Sequence, residues 1–129
     1  MSADSWDNHC VTYVANNKCL KNLCMTAIDG SHLGTSNPDF RIPPELILQL
    51  KSILDGGLDT SIFFMGEKYI VLQHDSSCLV SRCGKKSLIF YATGKICLVG
   101  QTVDDDQNNC TQRNFAISRM RDHYERMGY

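Results

Sequence analysis

The stretch SIFFMGEKYIVLQHDSSCLVSRCGKKSLIFYATGKICLVGQT, residues 61–102, decides the fold. Four or five apolar runs of four to seven residues, rich in Ile, Val, Phe, Tyr and Leu, are separated by turn signals. Those signals are Met65-Gly66-Glu67, Asp75-Ser76-Ser77, Gly84-Lys85-Lys86 and Thr93-Gly94-Lys95. Runs this short suit strands rather than helices. Gaps of two to four residues join adjacent antiparallel strands and are too short for a parallel crossover. The stretch therefore reads as a β-meander. Its runs lack the apolar–polar alternation of a sheet with one wet face, so much of both faces should be covered by the rest of the chain.

Working outward, residues 4–16 read as an amphipathic helix. Asp4 or Ser5 can cap it, Asp7 complements its dipole, and Trp6, Cys10, Tyr13 and Val14 share one face. Residues 22–29 read as a strand, Asp29-Gly30 as a tight turn, and His32 to Ser36 as the returning strand of a hairpin. RIPPELILQLKSILDGG, residues 41–57, opens a helix with Pro in its first turn and stops it at Gly56-Gly57, with Leu46, Leu50 and Ile53 as its stripe and Ile47 and Leu54 beside them. After the meander come an acidic loop, Val103 to Asn109, and a C-terminal helix. Thr111 is its N-cap, Ile117, Met120, Tyr124 and Met127 form its stripe, and Arg126 sits near its negative end. The order helix, hairpin, helix, meander, helix is that of an α+β domain with one antiparallel sheet. The two terminal helices are expected on one face of that sheet and the middle helix on the other.

The chain has 129 residues, the size of one domain, here 1–129, with one core. Its composition is 43% apolar and 21% charged, which is globular rather than disordered or fibrous. A net charge of −1 offers no global basic field for nucleic acid. No apolar run reaches membrane-spanning length, and the polar, acidic start does not read as a signal peptide. The chain is expected to be cytoplasmic. Its seven cysteines fit a reducing compartment, because the count is odd and Cys24, Cys78 and Cys97 lie in apolar strands as small hydrophobes.

Patterns for familiar chemistry are missing. Cys19/Cys24 and Cys78/Cys83 are C-x4-C pairs, but nothing brings two pairs to tetrahedral geometry, so no metal and no cofactor is expected. A zinc deaminase would need H-x-E ahead of P-C-x-x-C. Gly84-Lys85-Lys86 lacks the remaining glycine and Ser/Thr of a phosphate loop. Asp104 to Asp106 lack the glycine and bidentate glutamate of a calcium loop. A cysteine nucleophile paired with His9, His32, His74 or His123 would make a thiol enzyme, but no local motif fixes such a pair.

Several motifs, in order and spacing, are similar to those of the profilin family over nearly the whole chain. They are SWDNHCV at 5–11, AIDG at 27–30, SNPDF at 36–40, PPEL at 43–46, GEKYIVLQHD at 66–75, ATGKICLVG at 92–100 and the aromatic end DHYERMGY. The resemblance implies the profilin fold, with N- and C-terminal helices on one face of a central antiparallel sheet and a middle helix on the other. It implies a non-enzymatic protein that binds monomeric actin and promotes exchange of its nucleotide. It also implies binding of proline-rich segments of actin-assembly factors and of acidic phosphoinositides.

By that resemblance the proline site comprises Trp6, His9, Leu33, His123 and Tyr129. A polyproline II ligand is pre-extended and docks on aromatic slots whose N–H or O–H meets its carbonyls. His9 stands where the family has Tyr, and Leu33 where it has a second Trp, so the platform has less aromatic surface and weaker or narrower proline recognition is expected. The actin surface implied is Lys68, Arg82, Lys95, Arg113, Asn114 and Arg119. Ala92 replaces a family Lys, and the acids at 104–106 oppose an acidic partner. Phosphoinositides would meet Arg82, Lys85 and Lys86, or Arg119, Arg121 and Arg126. The alternative reading is a module of this fold that keeps peptide or lipid partners with weak or no actin binding.

Overall fold

The computed structural model describes residues 3–16, 20–57, 59–74, 78–103 and 122–128. The meander is five strands: β3 (Ser61–Phe64), β4 (Glu67–His74), β5 (Cys78–Cys83), β6 (Lys86–Ala92) and β7 (Ile96–Thr102). Upstream lie helix α1 (Ala3–Ala15), the hairpin β1 (Leu20–Ala27) and β2 (His32–Thr35), and helix α2 (Pro44–Leu54). Residues 122–126 are helical and are called α3 below.

All seven strands form one antiparallel sheet in the order β2-β1-β7-β6-β5-β4-β3. The hairpin thus joins the meander through β1 and β7, with Leu23 opposite Gly100 and Met25 opposite Leu98. β1 lies two residues earlier than the sequence suggests. Leu20 already pairs with Thr102, while Asp29 is drawn into the turn, its carboxylate accepting the Ser31 N–H at 2.9 Å. β2 stops at Thr35: the Leu23 N–H is taken at 2.9 Å by the Ser36 hydroxyl oxygen instead of a backbone carbonyl, which ends the regular ladder.

Strand side chains alternate between two cores, as the absence of a polar face requires. Cys24, Leu79, Leu88, Phe90, Cys97 and Val99 join Phe40, Ile42, Leu46, Ile47, Leu50 and Ile53 under α2. Their neighbours Leu23, Met25, Val80, Ile89, Tyr91 and Leu98 join Trp6, Cys10 and Tyr124 under the terminal helices. The α2 core extends to the far edge of the sheet through Ile62, Phe64 and Tyr69. Its buried polar groups are paired in a chain: Asn22 donates to Gln101, and Gln101 donates to the Tyr69 hydroxyl at 3.0 Å. No described buried side-chain polar atom lacks a partner.

Two backbone features set the geometry. Gly34 of β2 lies directly beneath α1, where an added Cβ would stand 2.7 Å from Trp6. The helix can therefore settle onto β2 only because that residue has no side chain. The β3–β4 hairpin turns on Met65 and Gly66, both at positive φ (51° and 76°), the backbone of a type I′ turn. At the exposed edge, the Gln49 side chain of α2 donates to the outward carbonyl of Ser61 at 3.4 Å and to Asp59 at 3.2 Å.

Candidate functional site

Two surfaces stand out. The first lies between α1 and α3. The 3.6-residue period puts Trp6, Cys10 and Tyr13 on the inner side of α1, and Trp6 is only 6% exposed. Tyr124 from α3 is fully buried against it, ring centroids 5.6 Å apart. The His9 ring stacks on Tyr124 at 6.0 Å, and its Nδ1 is hydrogen-bonded to the Tyr124 hydroxyl. His123 meets Tyr124 edge-on at 5.2 Å. Above this cluster opens a cleft of about 230 Å³ lined by His9, Thr12, Tyr13 and His123.

The structure thus brings Trp6, His9 and His123 together, and Leu33 packs against the same core from β2. Tyr129 lies outside the described residues. Trp6 is largely a packing residue and offers a ligand only its rim; His9 and His123 supply the open cleft walls. Sequence reading placed Tyr124 in an apolar stripe and missed that its hydroxyl anchors His9. Met127, expected in that stripe, is half exposed in the turn after α3.

The second surface is the β3–β4 end of the sheet, on the face that carries α1, where apolar side chains are exposed. Tyr69 and Val71 of β4 point into the α2 core, so Lys68 and Ile70 face the other way. There Phe63 is 68% exposed and Ile70 45%, and Leu72, at a bulge between Val71 and Gln73, is 52% exposed. Phe63 lies directly opposite Lys68, and Ile70 directly opposite Arg82. The result is an apolar strip with a cation at each side. The sequence shows these apolar residues but not which face stays uncovered, because each alternates with a core residue.

The other basic candidates are dispersed. Lys95 sits in the β6–β7 turn, at the opposite end of the sheet from the β5–β6 turn. Lys86 faces the α2 side and forms an ion pair with Glu67, which raises its pKa. Arg82 faces the opposite side and donates to Ser87 Oγ at 3.3 Å. Lys85 is exposed in the turn and Arg126 on α3. Arg113, Asn114, Arg119, Arg121 and the acidic residues 104–106 lie outside the described residues. Asp7, expected to complement the α1 dipole, instead reaches β2, where its Oδ1 accepts the Thr35 N–H at 2.8 Å.

The three buried thiols do not resemble nucleophiles. Burial pushes Cys10 up to about 12, and Cys24 and Cys97 up to about 11. A reactive cysteine needs the reverse shift. Among the described residues, no group of three or more His, Cys, Asp or Glu is arranged to hold a metal ion. No described helix is long and apolar enough to cross a membrane.

Comparison with known proteins agrees with this architecture. The chain is similar to the structure of Schizosaccharomyces pombe profilin (TM-score 0.81, 19% identity, 96% of this chain and 99% of that one). It is similar to Acanthamoeba castellanii profilin IA to the same extent in identity and coverage, at TM-score 0.79. A structure of LokiProfilin1 in complex with rabbit actin matches at TM-score 0.63 and 12% identity, covering 92% of this chain and 95% of that one. No curated protein matches the chain in sequence. The family model for profilin matches residues 4–129. With that match spanning both helix-bearing ends and the whole sheet between them, the chain belongs to the profilin family.

Proposed function

We propose that this protein is a non-enzymatic, cytoplasmic regulator of actin assembly that binds monomeric actin and promotes exchange of its nucleotide. The observation that carries the reading is the open apolar strip Phe63–Ile70–Leu72 between Lys68 and Arg82. A contiguous strip of apolar side chains held exposed on a sheet face suits docking rather than a core. Its cations suit an acidic partner, and a family structure has been solved with rabbit actin. Arg113, Asn114 and Arg119, outside the described residues, are further candidates of this reading; Lys95 is too far along the sheet to join the centre of the strip.

The test is pyrene-actin assembly and nucleotide exchange, with and without the protein. The expected result is slowed spontaneous assembly and faster exchange, both lost with Phe63→Ser. Unchanged assembly and exchange at saturating protein would reject the actin role and favour the fold as a peptide or lipid module.

A second activity is favoured by the cleft of His9, Thr12, Tyr13 and His123 above the buried Trp6–Tyr124 pair. It takes a proline-rich segment, with Leu33 behind Trp6 and Tyr129 contributing from the chain end. The cleft is small, about 230 Å³, and two of its four walls are imidazoles, so recognition is of short segments. Titration with a proline-rich peptide should change the emission of Trp6, the sole tryptophan. Acidic phosphoinositides are the third partner, at Lys85 with Arg82 and Lys86 on either side of the sheet end, or at Arg121 and Arg126. The split of Arg82 and Lys86 between two faces, and the Lys86–Glu67 pair, make this the weakest of the three.

A further inference from the structure

A separate cleft of about 420 Å³ lies on the outer side of α1, away from both surfaces above. It is walled by Asp7 and Val11 of α1, His32 and Thr35 of β2, and Ser36, Pro38 and Arg41 of the following segment. The Asp7 carboxylate is fixed by the Thr35 N–H on Oδ1, which leaves its second oxygen for the cleft. Close seating of α1 on Gly34 holds that carboxylate in place. Arg41 is exposed on the opposite wall and makes no hydrogen bond or ion pair among the described residues, so Asp7 and Arg41 face the same space without meeting. His32 lies within the field of both. Burial, followed by the Arg41 charge, lowers its pKa, while Asp7 raises it. Ser36 Oγ accepts the Leu23 N–H at 2.9 Å, so its own proton is directed elsewhere. Val11, half exposed, and Pro38 are the apolar parts of the wall.

A fixed anion and an unpaired cation across a cleft of small-ligand size call for a ligand of complementary polarity. We infer that this cleft binds a small zwitterion whose ammonium meets Asp7, whose anionic group meets Arg41, and whose apolar portion rests on Val11 and Pro38. Arg41 suits a carboxylate or phosphate because its planar fork donates two parallel hydrogen bonds. Two sources carry this chemistry: a free apolar α-amino acid, and the ethanolamine phosphate of a lipid headgroup. Each wall charge contributes its own contact, so a singly charged ligand forgoes one of the two and leaves the other wall charge facing an uncharged group.

The test is an NMR titration of the 15N-labelled protein with L-leucine, O-phosphoethanolamine, N-acetyl-leucine and leucinamide. Saturable shifts confined to Asp7, Val11, His32, Ser36 and Arg41 are expected with the first two probes, and binding about tenfold weaker or less with the last two. Tighter binding of leucine identifies the amino-acid source; tighter binding of phosphoethanolamine identifies the headgroup. Asp7→Asn keeps an oxygen for the Thr35 N–H, and Arg41→Gln keeps a polar side chain. Each variant should retain the native spectrum and lose binding at least about tenfold. No saturable shift with either zwitterion, or equal binding of the singly charged derivatives, would overturn the inference.

Discussion

The two faces of the sheet are built from the same strands and treated differently. On the α2 face the apolar side chains are covered from β1 to the edge strand β3, where Ile62 and Phe64 are buried. On the other face cover runs over β1, β7, β6 and Val80 of β5, then stops, and Phe63, Ile70 and Leu72 stand in solvent. Phe63 and Phe64 are adjacent residues of the same type with opposite fates. Residue type therefore does not distinguish buried from open positions here; the face a strand residue takes and the extent of cover on that face do. An apolar residue contributes to stability on one face and, under the proposed function, to association on the other.

The widest separation comes from paired substitutions. Phe90→Ala, in the α2 core, should destabilise by about 4 kcal/mol, whereas Phe63→Ser should stay within about 0.5 kcal/mol. In binding the order reverses: Phe63→Ser should weaken actin binding by about tenfold or more, with Phe90→Ala changing it only through unfolding. Urea unfolding and an actin titration on the same samples decide it. A large stability loss in Phe63→Ser would mean that the strip is covered in solution.

The thiols probe how dry each covered half is. Cys10 lies on the inner side of α1, and Cys24 and Cys97 under α2, and burial raises all three from 9.0, to about 12 for Cys10 and about 11 for the others. The folded chain holds these protons more tightly. The stabilisation is complete below pH 9 and is lost as pH rises through 11 to 12. Thermal unfolding followed against pH should show an alkaline decline that Cys10→Ala and Cys97→Ala each flatten. A slope unchanged by one of them would mark its face as wet.

Smaller effects test how the terminal-helix face is assembled. Gly34→Ala forces a Cβ against Trp6 and should cost about 2 kcal/mol while red-shifting Trp6 emission as α1 lifts. Tyr124→Phe removes the hydroxyl that holds His9 and should cost about 1 kcal/mol, with looser proline-peptide binding by fluorescence titration. The smallest change is a gain: Met65→Gly relieves a left-handed residue whose side chain is already exposed, and should stabilise by about 0.5–1 kcal/mol by urea unfolding.

Much of this was legible in the residues. Turn chemistry punctuated the meander, and continuous apolar runs announced that both faces were covered. Pro44 and the Leu46–Leu50–Ile53 stripe located α2. The pairing of β1 with β7 was not legible, because it joins segments far apart in sequence and periodicity is local. Nor was the open strip, since alternation assigns residues to faces without saying how far a helix reaches. For the candidate sites, Trp6, His9, Leu33 and His123 came from family resemblance rather than from pattern. The His9–Tyr124 bond was not legible either, because it links residues at opposite ends of the chain.

The Gln49 side chain, laid on the outward carbonyl of Ser61, bears on solubility. β3 is a bare edge, and beside it lies a strip of solvent-facing aromatic and aliphatic residues. That combination would ordinarily invite another molecule's strand to add on and the sheet to grow. The edge strand is only four residues long, it ends in a tight turn, and one of its outward acceptors is already occupied by an amide from the helix above. The face stays available to a partner that docks flat, while the edge resists one that would extend the sheet.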